Sequence, residues 1–218
     1  GDHGFDHVES PNNIHSNDVA YGNYKDGFSI EGDSHGCQLH NCIAVDNGLT
    51  TNEFDLWVND LSSVGFVSDY NLFWNSTPQV PFKFIHTLYG QLSAYQAASG
   101  QDANSLQSDP RFADAAHGDF SLMPGSAAID AGTSAQPEWP AIDAVGDGRV
   151  DQVSIDDRGY GPVTYADIGA LEVQQQVEPD AVMLPNPLGT VGDKGKRHAA
   201  PFGAGDEARV ALSSGFPS

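Results

Sequence analysis

The sequence predicts an all-β solenoid, a chain wound into stacked coils, with one short packed helix and an irregular C-terminal cap. Two observations carry this expectation. The first is a repeat. Gly4-Phe5-Asp6-His7-Val8 … Asn17-Asp18-Val19-Ala20-Tyr21-Gly22-Asn23 is followed by Asp26-Gly27-Phe28-Ser29-Ile30 … Asn41-Cys42-Ile43-Ala44-Val45-Asp46-Asn47. A weaker copy follows, Phe54-Asp55-Leu56-Trp57-Val58 … Asp69-Tyr70-Asn71-Leu72-Phe73-Trp74-Asn75. Gly4 to Gly27 is 23 residues, Asn17 to Asn41 and Asn23 to Asn47 are 24, and Asn47 to Asn75 is 28. A period of this size means units stacked on one another. The second observation is turn chemistry: 24 Gly and 13 Pro, among many Asn, Asp and Ser, suit many short strands.

Residues 1–80 form the coils. Phe28/Ile30, Ile43/Val45 and Leu56/Val58 alternate with polar or small residues, and Phe66 and Leu72 continue the series. Breaks fall at Glu31–Gly36, Asp46–Gly48 and Asn59-Asp60. A five-residue strand cannot bury its apolar face alone; coiling gives each strand a neighbour above and below. Asn at equivalent corners can form a side-chain ladder and tolerates a left-handed backbone. Leucine-rich repeats share the period, but their Leu-x-x-Leu-x-Leu pattern is absent. Cys37 and Cys42 lie five apart, which on one continuous strand sends them to opposite faces. One is expected in the core and one outside; a disulfide would need a bend between them.

Residues 81–100 change character. Leu88, Leu92, Tyr95 and Ala98 recur at helical spacing and Gly100 is a natural stop, so a short helix over 91–99 is expected to pack on the stack. A solenoid end needs a cap, and residues 101–172 are read as that closure. Phe112, Phe120, Leu122, Ile129 and Ile168 would point inward in the last, irregular coils. Asp130 and Asp167 would accept backbone N–H bonds at tight turns. Residues 173–218 read as a linker and poorly ordered tail, with Gln174-Gln175-Gln176, Pro179, Pro185 and Pro187. Its Lys194, Lys196, Arg197 and His198 read as a solvated charge run, and Asn186-Pro187 with Val210-Ala211-Leu212 as the alternative start of a sorting or β-sandwich module.

Two sets of residues carry a resemblance. Asn-x-x-Ala-x-x-Asn, as Asn17/Ala20/Asn23 and Asn41/Ala44/Asn47, resembles the rungs of the right-handed parallel β-helix family. An ordered series is similar to the "choice-of-anchor" C-terminal segment of bacterial secreted β-helix proteins. It comprises Gly100–Leu106, Asp109-Pro110-Arg111-Phe112, Gly118-Asp119-Phe120-Ser121-Leu122, Pro124–Gly132, Asp156-Asp157-Arg158-Gly159 and Asp167–Glu172. The likeness covers roughly residues 10–172. It implies a right-handed parallel β-helix and a secreted or cell-surface setting, and it implies no particular reaction.

Charge narrows the partners. With 30 Asp+Glu against 9 Lys+Arg, the net charge of -21 argues against nucleic acid. It fits a secreted or surface protein, one that collects cations such as calcium, or a solubilising acidic surface. No apolar run reaches the ~18 residues of a membrane span. The chain lacks an initiator Met and a signal-like start, and its first residues already read as repeat; a fragment or processed product is expected.

Three constellations could carry chemistry. Asp2-His3-Gly4-Phe5-Asp6 sits one coil before Lys25-Asp26-Gly27-Phe28-Ser29. Stacked acids repel unless a cation lies between them. The cluster distantly resembles that of calcium-dependent pectate lyases of the β-helix class, though His3, Lys25 and Ser29 depart from the Asp-Asp-Gly-Phe-Asp pattern. The resemblance implies a calcium site at Asp2, Asp6 and Asp26 that acidifies a uronate, with a lysine as base. Lys25 is the candidate, with Lys83 further on. His15 and His40 could be bases, or rung-surface residues with exposed rings. The second constellation is Asp55, Asp60 and Asp69 with Trp57 and Trp74, paired carboxylates beside sugar-stacking rings; the alternative is that both Trp are partly buried coil residues. Trp57, Trp74 and His40 are the candidate substrate-binding residues. The third, Asp143–Asp151, resembles an EF-hand loop with Asp at positions one, five and nine and Gly at six, but Val145 and Ser154 occupy ligand positions; an acidic insertion loop is the alternative. The expected function is binding or cleavage of a polysaccharide, an acidic one by preference and lyase-like if catalytic. The alternative is a non-catalytic surface stalk.

Overall fold

The computed structural model describes residues 2–174. The expected tail, with its basic cluster and the 186–187 and 210–212 segments, lies outside the described residues. Three coils each supply three strands. They are β1 (Phe5–Val8), β2 (Ile14–Ser16) and β3 (Val19–Tyr21); then β4 (Phe28–Glu31), β5 (Gln38–His40) and β6 (Ile43–Val45); then β7 (Leu56–Val58), β8 (Val67–Asp69) and β9 (Leu72–Trp74). A fourth turn begins with β10 (Phe82–Phe84), reverses through β11 (Thr87–Tyr89) and α1 (Leu92–Ser99), and rejoins the stack in β12 (Leu106–Gln107). The first sheet runs β1-β4-β7-β10-β11, the second β2-β5-β8, the third β12-β9-β6-β3. Every pair is parallel except β10 with β11. The protein is a parallel β-solenoid.

Like residues stack inside. Phe5, Phe28, Leu56 and Phe82 stand in register, and the Phe5 and Phe28 rings are parallel at 4.9 Å. Ala20 and Ala44 oppose them from the third sheet and leave room for the rings. At the corners, Asn17 and Asn41 hold φ of 61° and 54°. Asn41 Nδ2 donates to Asn17 Oδ1 at 3.3 Å, and Asn23 Nδ2 to Asn47 Oδ1 at 2.8 Å. The third coil slips. Val45 pairs with Trp74, so Asp46, not Asn47, stands opposite Asn75. Tyr70 takes the left-handed position (φ 59°), and Asn71 moves into the place of Cys42. There it accepts from Cys42 N (2.8 Å) and donates to Leu39 O (3.0 Å) as a buried knot.

Cys37 and Cys42 are both buried and both free. The face-alternation argument fails because Asn41's left-handed corner separates β5 from β6 between them. The helix α1 lies within the expected span. Its Tyr95 stacks on Phe82 (4.8 Å, 10°) and, with Leu92, closes the end of the inner core. Gly100 ends it with φ 72°, donating its N–H to Gln96 O at 2.9 Å.

The remaining segment, which includes the hairpin β13 (Phe112–Asp114) and β14 (Asp119–Leu122), does not continue the coils. Leu122, Ile129 and Ile168 were expected inside the last coils; they pack instead on the outside of the third sheet, against Ile43, Val45 and Leu72. Phe112 and Phe120 meet Tyr21 there, at 6.4 and 5.7 Å between ring centres. The reason lies in the sheet. Its strands Ile43-Ala44-Val45 and Leu72-Phe73-Trp74 are apolar on both faces, and the outer face must be covered too.

Candidate functional site

The first sheet keeps a polar, partly open outer line, on which Asp6 is exposed, Trp57 and Lys83 are half-buried and Ser29 is buried. Its strands alternate, so one residue per coil points outward, and the register puts Asp6, Ser29, Trp57 and Lys83 in one line. Three strand spacings of about 4.8 Å make that line roughly 14 Å long. Lys83 Nζ lies 4.0 Å from the Trp57 ring centre and 5.6 Å from that of Phe54. This is cation–π geometry, which holds the ammonium over the indole. Beside the line, Ser29 Oγ donates to Glu31 Oε1 at 3.3 Å. Of the lysines, Lys25 and Lys83 are the two within the described residues. Lys83 sits on the line and Lys25 at the corner leading into β4.

The corner that opens β1 and β4 is tight. A Cβ on Gly27 would meet Asn47 Nδ2 and Asp55 O, each at 2.7 Å. The register of β1 on β4 settles what stacks on what. Gly4 donates its N–H to Asp26 O, and Lys25 its N–H to Asp2 O, so His3 stands over Asp26 and Asp2 over Lys25. His3 Nδ1 is 3.3 Å from Asp26 Oδ2, and Lys25 Nζ is 2.8 Å from Asp2 Oδ2. Acid is stacked on base, not on acid, and the repulsion that would call for a cation does not arise. Asp26 is also buried, with Oδ1 accepting from Phe54 N at 2.7 Å. Asp2, Asp6 and Asp26 are not gathered into one group of ligand atoms among the described residues. Asp6 instead joins His3 and Glu31, whose ligand atoms lie within 4.8 Å of one another.

The protonation directions follow. Burial pushes Asp26 up to about 6, against the Phe54 amide that favours its charge. The hydrogen bond from Lys25 lowers Asp2, and the same bond raises Lys25. A general base needs the opposite shift, so Lys25 stands as a fixed ammonium.

The other candidates are dispersed. Trp74 belongs to the third sheet and packs under the closing segment, away from Trp57. His40 lies on the second sheet. Its ring is buried, with Nε2 3.3 Å from Gln38 Oε1, and burial lowers its pKa. His15 points inward, its Nε2 2.6 Å from His7 Nε2 and its Nδ1 2.8 Å from Asp18. Neither histidine has the exposed ring expected of a rung surface. Asp55 is buried at the Asn ladder, accepting from Asn47 Nδ2 at 2.9 Å, and burial drives it well up. Asp69 accepts from Asn104 N and Nδ2 on another side of the coil, and Asp60 is exposed in a turn. They form no carboxylate pair. In the 143–151 loop, Asp143 is spent on backbone: Oδ1 accepts from Val145 N and Asp147 N, and Oδ2 from Glu172 N. Trp57 and Lys83 were each singled out in the sequence, but not as neighbours. The signal was there in Phe28-Ser29-Ile30, Leu56-Trp57-Val58 and Phe82-Lys83-Phe84, three apolar–x–apolar triplets whose middle residues align.

No protein-family model, no curated protein and no solved structure matches this chain. The reading of this face rests on its own geometry.

Proposed function

We propose that the outer face of the first sheet binds polysaccharide, with a carboxylate-bearing sugar held against Lys83 and Trp57, in a secreted or cell-surface setting. The observation that carries this is the in-register line Asp6–Ser29–Trp57–Lys83. A regularly spaced row on a rigid parallel sheet suits a regularly spaced polymer. The indole offers apolar surface to sugar C–H groups, and the ammonium pinned at 4.0 Å above it offers a charge to a uronate. Asp6 and Glu31 supply acceptors for hydroxyls. The net charge of -21 opposes an acidic polymer at long range; at physiological salt that field decays within about 8 Å, and the local lysine decides. Binding, not β-elimination, is the reading favoured here, because Lys25 is paired with Asp2 at 2.8 Å, at the corner and off the line.

The test is titration of oligogalacturonate and of a neutral glucan, followed calorimetrically. Lys83→Ala and Trp57→Ala should each weaken oligogalacturonate binding by tenfold or more while the melting temperature stays near that of the parent. Undiminished binding in both variants would sink the proposal. Absence of binding to either polymer would favour the stalk, and new unsaturated ends in the mixture would favour a lyase.

A further inference from the structure

The segment after β12 is held together by buried carboxylates. Asp130, Asp143, Asp167 and Glu172 are all buried. Three of them are fully employed. Asp167 accepts from Asp130 N and Val173 N, both at 2.8 Å; Asp143 accepts the three amides named above; Glu172 accepts from Val150 N and pairs with Arg149 at 2.9 Å. Asp130 differs. It is 0 % exposed, its Oδ1 has only a 3.5 Å contact from Gln152 N, and its Oδ2 has no hydrogen-bond partner. A buried carboxylate oxygen left this way is costly.

The orphaned carboxylate is not alone. Asp130, Asp151 and Asp157 bring carboxylate oxygens within 4.8 Å of one another. The chain fixes that spacing: Arg158 N donates to Asp130 O at 2.7 Å, tying the irregular segment that carries Asp157 to the turn that carries Asp130. Asp157 is braced by Thr164 Oγ1, which donates to its Oδ2 at 2.6 Å. Arg158 would be the natural neutraliser, but its Nη2 donates to the carbonyls of Ala127 (2.9 Å) and Ile129 (3.0 Å). Three carboxylates are thus held together, one of them buried and unsatisfied, beside a guanidinium turned to backbone.

We propose that Asp130, Asp151 and Asp157 form a binding site for a hard divalent cation of the calcium type. The donors are all oxygen, which excludes a preference for soft metals. They sit on irregular turns, which suits calcium's tolerant coordination better than the strict octahedron of magnesium. Asp157 is exposed and Asp151 half-buried, so the ion has a way in from solvent. The site is separate from the first sheet and does not depend on what that face binds.

Thermal unfolding of the whole chain, stripped with EDTA and titrated with CaCl2, tests it. The melting temperature should rise and saturate by about 10 mM, the range in which extracellular calcium modules fill. Asp157→Asn, at an exposed position, should fold as the parent does and need at least tenfold more calcium for the same rise; Asp151→Asn should do likewise. Asp60→Asn, in an exposed turn, should leave the response unchanged. No rise with calcium overturns the proposal, as does a rise that both Asn variants retain in full. An equal response to MgCl2 overturns the calcium assignment.

Discussion

The first and third sheets are built by the same coils and differ in the residues that point outward. On the first sheet one line does so, Asp6, Ser29, Trp57 and Lys83; on the third there are two, Val19, Ile43, Leu72 and Leu106 beside Tyr21, Val45 and Trp74. Backbone hydrogen bonding is the same in kind. The third sheet acquires a second core on its outer side, and the first carries none among the described residues. In this solenoid the fate of a face is thus decided by the one or two outward positions of each strand. The first sheet is left with Trp57 and Lys83 half-buried on its outer side, the pair to which the proposed ligand is assigned.

The comparison can be broken most severely at Leu72, which is 0 % exposed between the coil and the closing segment. Leu72→Ala should cost about 2–5 kcal/mol in chemical denaturation and open the 108–174 segment to proteolysis ahead of the coils. Equal protease resistance in parent and variant would mean that the outer core is not what holds the segment. Next is Gly27→Ala, where the added Cβ meets backbone and Asn47 at 2.7 Å. About 1–3 kcal/mol of destabilisation is expected in chemical denaturation, because Asn47 and the Asp55 backbone must give way.

A pH titration of stability probes both regions at once. Asp26, beside the first sheet, is raised to about 6; in the closing segment Asp130 is raised to about 6 and Asp167 to about 8, all chiefly by burial. A raised acid binds its proton more tightly folded than unfolded. The contribution is therefore complete below about pH 4 and is lost as pH rises through the folded value. Stability should fall steeply between pH 4 and 6, where Asp26, Asp130 and Asp167 all contribute, and less steeply towards pH 8, where Asp167 still does. Asp26→Asn should lessen the fall in the first interval only, and Asp167→Asn should lessen it across both; a stability curve rising from pH 4 to 8 would contradict both. The smallest effect is expected at Lys83→Ala, within about 0.5–1 kcal/mol of the parent. That mildness is the point of contrast with Leu72.

Much of the fold was legible. Gly4/Gly27, Asn17/Asn41 and Asn23/Asn47 are true equivalents, and the helix over 91–99 is α1. The slip of one residue at Asn75 was hidden, because the turn at 59–66 lengthens the third coil and the Asn there keeps its identity but not its place. The flank-covering role of the last segment could have been read from Ile43-Ala44-Val45 and Leu72-Phe73-Trp74. Unbroken apolar runs belong to a sheet buried on both faces, and Phe28-Ser29-Ile30 does not have one. The site was less legible. Trp57, Trp74 and His40 were grouped by residue type, whereas the coil sends them to three different faces. Asp2 and Asp26 were read as stacked acids, although a shift of one residue in their motifs sets each over a base. Asp130 was expected to be satisfied by backbone, and only its geometry reveals the oxygen left over.

One consequence follows from β11. A stack of parallel coils is in principle a filament, since each coil presents the next with a template of its own kind. Because β11 runs against β10 and α1 seals the interior behind it, the first sheet is terminated there as a polymer is by a chain stopper. Growth on that sheet has a direction: any coil that joins in parallel register does so beside β1, and the molecule carries a polarity that its individual strands lack.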